Sequence, residues 1–168
     1  GQGGAINFSG GGLQAVDRAV GPLMRQDLVY SSGQRAFNHA VVNGTYRVTI
    51  TMGDAGHAHD EMAVKSEGVV LASGVTTAAG EFKVVTGVVE VLDGELKVVF
   101  WDQGGTNPDW VLSGISIEID RNNPPGSSRR GASRGSCPWR THGPVTRFRF
   151  WRLGGTIGRW QIGYMITN

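Results

Sequence analysis

In "TYRVTITM", Tyr46, Val48, Ile50 and Met52 fall on one side of an extended chain, while Thr45, Arg47, Thr49 and Thr51 fall on the other. This two-residue period predicts a half-buried β-strand over 45–52. Similar runs predict strands at 35–42, 62–66, 69–75, 82–91, 95–101 and 110–119, with a weaker one at 5–8. In the strand at 110–119, Ile115, Ile117 and Ile119 alternate with Ser116 and Glu118. No window holds a persuasive helical period, although "LQAVDRAVGPLM" is compatible with one helical turn before Pro22. Several short strands at this spacing predict an all-β, antiparallel sandwich.

Turn chemistry punctuates the strands. Asn43-Gly44 and Asp93-Gly94 read as tight hairpin turns, since a type I′ turn needs positive φ at two successive residues, which Asn, Asp and Gly tolerate best. If each connection reverses the chain, the segments 53–61, 76–81 and 102–109 share one pole. Glu67-Gly68 and Asp93-Gly94 then share the other. The first pole is the more polar, and it gathers Asp54, His57, His59, Asp60, Asp102, Asn107 and Asp109.

Charge divides the chain. Residues 1–120 hold 7 Lys and Arg against all 14 Asp and Glu, a net of −7, while 121–168 hold 9 Arg and no acid, a net of +9. The overall +2 therefore hides two differently built segments, and the basic character belongs to the second. We read 1–120 as the sandwich and 121–168 as an Arg-, Gly- and Pro-rich tail: a linker or poorly ordered stretch, with room for one added strand in "VTRFRFWRLGGTIGRWQIGYMITN". The Arg and aromatic residues of "RFRFWR" raise nucleic-acid binding, but no RRM or OB-fold pattern supports it. No run of 18 apolar residues predicts a membrane span. The single cysteine, Cys137, permits no intrachain disulfide. The sequence opens on Gly1 without a leader pattern, which we read as a processed chain or a piece of a longer one.

The segments "NGTY", "VTITMGD", "HDEM", "SGVTTAAGEF" and "NPDWVLSGISI", taken in this order over about residues 25–119, resemble galactose-binding-like, malectin-like modules. Such modules sit beside catalytic domains in secreted bacterial polysaccharide-degrading enzymes. His39 and Ser113 depart from the pattern, where an apolar residue and Asn are usual. The resemblance implies a jelly-roll sandwich, secreted or at the cell surface, that binds polysaccharide or holds a neighbouring domain. It does not imply catalysis.

Saccharide recognition needs an aromatic face for the C–H side of a pyranose and polar groups for its hydroxyls. With Leu96, Val98 and Phe100 turned to the core, alternation turns Trp101 outward. Trp101 is thus the candidate platform, and Asp54, His57, His59, Asp60, Asp102, Asn107 and Asp109 are the candidate polar contacts. Trp110, which starts a strand continuing into Leu112, is expected in the core. Asp54, His57, His59 and Asp60 include transition-metal ligand types, but zinc sites require three or four converging ligands; the plainer reading is a loop whose carboxylates hold backbone amides. The resemblance also admits a structural calcium, for which Asp102, Asn107 and Asp109 are the candidate oxygens. Asp60 with Asp102 or Asp109 is the carboxylate pair a glycosidase would use. No nucleophile elbow, zinc-protease helix or phosphate loop is present, so we expect no catalysis.

Overall fold

The computed structural model describes residues 7–9, 12–18, 27–120, 122, 146–151 and 161–165. Its strands are β1 (Asn7–Ser9), β2 (Gln14–Asp17), β3 (Asp27–Ser31), β4 (Arg35–Ala40), β5 (Gly44–Gly53), β6 (His59–Ser66), β7 (Val69–Thr77), β8 (Phe82–Val91), β9 (Glu95–Asp102), β10 (Trp110–Leu112), β11 (Gly114–Ile119), β12 (Thr146–Trp151) and β13 (Gln161–Met165). They form three antiparallel sheets, ordered β1-β4-β9-β6-β7, β10-β3-β2 and β13-β12-β11-β5-β8. The fold is a β-sandwich of the jelly-roll, galactose-binding-like kind. No helix among the described residues is long and apolar enough to cross a membrane.

The alternation of β5 is obeyed residue by residue: Tyr46, Val48, Ile50 and Met52 are buried, with Arg47 exposed between them. From the opposing sheet, Phe37, Met62, Val64, Leu96, Val98 and Phe100 join them in one apolar cluster, with Trp110 and Leu112. Each fully buried side chain of this size contributes about 1.5–3 kcal/mol of transfer free energy.

Local turn chemistry and sheet pairing part company at two places. Asn43-Gly44 links β4 to β5, and Asp93-Gly94 links β8 to β9; in both cases the two strands lie in different sheets, so neither turn closes a hairpin. The two turns instead brace each other: the Asn43 amide donates to Leu92 C=O (2.7 Å), and Val41 N–H donates to Gly94 C=O (2.9 Å). The paired hairpin is β6–β7, where Glu67 (φ 48°) and Gly68 (φ 77°) carry the two positive φ values of a type I′ turn. Residue preferences report backbone dihedrals, not which sheet receives the next strand.

Three more expectations are corrected. The segment 110–119 is two strands: β10 pairs with β3, and β11 pairs with β5. Between them Ser113 is buried, its N–H bonded to Thr51 C=O (2.9 Å) and its hydroxyl donating to Gly53 C=O, so the interruption is satisfied by hydrogen bonds rather than left open. Residues 14–17, within the stretch read as a helical turn, form strand β2 against β3, where Ala15 and Val16 pack on the core; the part around Pro22 lies outside the described residues. β3 itself was not expected. After Asp120 the third sheet gains two strands rather than one, β12 beside β11 and β13 beside β12. Apart from Asn122, the stretch read as a linker, 121–145, lies outside the described residues, as do 152–160.

His39 occupies an inward position on β4 opposite Leu96, with its ring 6.5 Å from Phe37. Burial lowers its pKa from the usual 6.5. The unfolded chain therefore binds this proton more readily than the folded one. The associated stability is fully present above pH 6.5 and is lost as pH falls from there through the lowered folded value. Thermal unfolding should show this mild decline below neutrality, and His39→Leu should flatten it.

Candidate functional site

Strand alternation carries the connections 54–58, 78–81 and 103–109 to one pole, where they bond to one another. Gly80 N–H donates to Asp54 C=O (2.8 Å), and Gln103 N–H donates to Glu61 C=O (2.9 Å). The Asn107 side-chain amide donates to Ala58 C=O (2.8 Å).

Asp54 is at the centre of this pole and its side chain is only 3% exposed. Arg18 grips it with two prongs, Nε to Oδ1 at 2.8 Å and Nη2 to Oδ2 at 2.6 Å, while Gly56 N–H donates to Oδ1 at 2.7 Å. Burial alone would raise the carboxyl's pKa; the Arg18 bonds, the Gly56 amide and the nearby charges outweigh it and leave the pKa below the usual 3.8. The same bond to Asp54 is the main reason that the Arg18 pKa is raised. Arg18 was invisible in the sequence, 36 residues away and in a stretch read as helical.

Around this pair, His57 is exposed, with Nδ1 2.8 Å from Arg18 Nη2 and 3.6 Å from Asp54 Oδ2. His59 is buried. Its Nδ1 lies 2.9 Å from Asp109 C=O, and its Nε2 has no hydrogen-bond partner, with Asp54 Oδ2 at 3.8 Å. Asp60 holds the next connection, accepting Thr106 N–H (2.8 Å) and Asn107 N–H (2.9 Å), and these two amides lower its pKa. Gly105 (φ 97°) lets this happen, because a Cβ there would stand 2.7 Å from Asp60 Oδ2. Asn107 Oδ1 accepts Asp109 N–H (3.0 Å). Asp102 accepts Gly104 N–H through Oδ1 (2.7 Å); its Oδ2 is buried without a hydrogen-bond partner, and burial raises its pKa.

Among the described residues no three of His, Cys, Asp and Glu converge on a metal position. Arg18 already supplies the cation at Asp54. Of the oxygens nominated for calcium, Asn107 Oδ1 is engaged by Asp109 N–H and Asp102 Oδ1 by Gly104 N–H, while Asp102 Oδ2 has no hydrogen-bond partner.

Trp101 stands apart from that network, on the outer face of the β9–β6 pair. It is partly exposed, as alternation with buried Phe100 requires. Directly opposite it on β6 is Ala63, which points outward between core residues Met62 and Val64 yet is wholly covered. Lys65, two residues along β6, holds its ammonium 5.6 Å from the indole centroid, within cation–π range.

At the other end of Ala63 lies Glu61, whose backbone is held at φ 52° where β6 carries an extra residue against β7 between His59 and Met62. Its carboxylate is exposed and makes no hydrogen bond or ion pair among the described residues; Oε2 lies 3.6 Å from the position of a Cβ on Gly74. Gln103 closes this end, its side-chain oxygen accepting Ser73 Oγ–H (2.8 Å) and Gly74 N–H (2.9 Å). Lys65, Glu61, Gln103 and Ser73 were not among the residues expected from sequence. Only the β6–β9 register and the bulge bring them to Trp101.

Together the fold and its outward tryptophan define a jelly-roll module that presents a partly exposed indole on the outer face of a sheet. No family model matches the chain. Over 94 residues it is 34% identical to beta-agarase A of Zobellia galactanivorans, a match covering 56% of this chain and 17% of that protein. The chain thus spans less than a fifth of that relative. Among solved structures, a Bacillus subtilis protein superposes with a TM-score of 0.50 at 24% identity, covering 68% of this chain and 31% of that one. The plant receptor-like kinase FER superposes with a TM-score of 0.51 at 12% identity, covering 81% and 38% respectively. These two share the fold.

Proposed function

We propose that the chain is a non-catalytic carbohydrate-binding module of a larger secreted protein, holding polysaccharide at Trp101. The observation that carries this reading is a partly exposed, outward-facing Trp101 that pairs with Ala63 across the β6–β9 ladder, with the Lys65 ammonium 5.6 Å from its ring and the exposed Glu61 two residues from Ala63 on the same strand. A flat apolar face with hydrogen-bonding groups at its edges is what a pyranose requires. The sequence similarity to part of a beta-agarase supports the choice of an agar-type galactan as the first ligand. Of the polar residues nominated from sequence, Asp54, Asp60 and Asn107 hold the connections together, so in this reading they shape the pole rather than touch sugar.

Calorimetry or affinity electrophoresis against a panel of soluble polysaccharides, agarose included, tests the proposal. Retardation by at least one member is expected, with modest affinity because an open face buries little ligand. Absence of binding across the panel contradicts it. The density of loop-to-loop bonds at the pole favours a second reading: a structural module that orients a neighbouring domain. That reading predicts no polysaccharide binding, together with a change in the stability or orientation of the adjoining domain when the module is removed.

A further inference from the structure

Resting on the carbohydrate-binding reading, we infer that the bound saccharide is uncharged and lies side-on along β6, with Glu61 and Lys65 acting as specificity-determining contacts on either side of Trp101. Ala63 and Lys65 are alternate residues of β6, and Glu61 precedes them at the bulge, its carbonyl still accepting Gln103 N–H from the residue after β9. Trp101 is the cross-strand partner of Ala63, the middle residue of the row. The row lies on the central β6–β9 pair of its sheet, with Gln103 bounding its Glu61 end. Such a face accepts internal units of a polymer, whereas a chain end calls for a pocket that closes around it.

The charges set the class of ligand. Glu61 has no partner among the described residues, and the ammonium of Lys65 rests on the indole rather than on a carboxylate. One end therefore accepts hydrogen bonds and the other donates them, as the hydroxyls of a neutral sugar require. A polyanion drawn to Lys65 would meet Glu61 within the same row, with Asp60, Asp102 and Asp109 at the adjoining pole and a net charge of −7 over residues 1–120 (7 basic, 14 acidic). A polycation would meet Lys65.

The test uses the full chain, neutral agarose oligosaccharides of increasing length, and a sulfated galactan of similar backbone. The hexasaccharide is expected to bind more tightly than the disaccharide and to be unaffected by reduction of its terminal unit. The sulfated polymer should bind at least about tenfold more weakly than the neutral one at low salt. Glu61→Gln and Lys65→Met should each weaken neutral binding by about tenfold, and Glu61→Gln should narrow the gap to the sulfated polymer. Equal or tighter binding of the sulfated polymer, sensitivity to the terminal unit, or unchanged affinity in both variants overturns this inference while leaving the carbohydrate-binding proposal standing. If the wild-type chain binds neither polymer, the underlying proposal fails with it.

Discussion

Trp110→Ala is expected to cost about 4 kcal/mol of folding stability, a large share of the roughly 5–15 kcal/mol that holds a typical domain together. Trp110 is fully buried, its ring stacked on Phe100 at 5.1 Å and 22°, and its indole N–H donates to Gly33 C=O at 2.7 Å. The side chain thus ties β9 to β10 and both to the turn after β3. Alanine would leave a cavity in the sandwich and an unpaired carbonyl. Trp110→Phe separates the two contributions: it keeps most of the apolar volume but still strands Gly33 C=O, for about 1–2 kcal/mol. Urea denaturation of the three proteins checks the order, wild type above Phe above Ala.

Asp54→Ala is expected to cost about 3 kcal/mol, at the low end for breaking a buried ion pair because Arg18 keeps 26% of its side chain in water. Removing the carboxylate leaves a guanidinium without its bidentate partner and frees the Gly56 amide, so the connection 54–58 loses its tie to Arg18, while the Gly80 bond to the Asp54 main-chain carbonyl is kept. Melting should occur roughly 10 °C lower. The pH dependence gives a second signature. Since the folded carboxyl has a lowered pKa, its contribution is complete above the unfolded value of 3.8 and is lost as pH falls through the folded one. That part of the acid limb should vanish in Asp54→Ala.

How far the sequence carried can be seen in the two tryptophans. Alternation with Phe100 was enough to turn Trp101 outward, and the apolar run into Leu112 was enough to bury Trp110. The first is a consequence of a two-residue period, which is local; the second came from the family resemblance and the apolar run, since all three residues of β10 are buried. What surrounds Trp101 is not local. Ala63 and Lys65 reach it because β6 pairs with β9, a strand three places later in the chain, and Glu61 takes its position from a bulge defined only by comparing β6 with β7. For the same reason Asn43-Gly44 and Asp93-Gly94 were legible as turns but not as passages between sheets. The bond of Asp54 to the Gly56 amide was legible as loop chemistry, since short carboxylates bond nearby amides; Asp60, expected to cap the next strand, instead holds Thr106 and Asn107 of a distant connection, and neither that nor Arg18, supplied from β2's far end, was legible.

The affinity of Trp101→Ala for neutral agarose oligosaccharide, measured by calorimetry on a variant whose melting matches the wild type, is the most direct test. The indole is on the outer face, so its loss should spare the fold while weakening binding by about thirtyfold, the effect of removing a tryptophan worth roughly 2 kcal/mol. An affinity equal to that of the wild type would contradict the account.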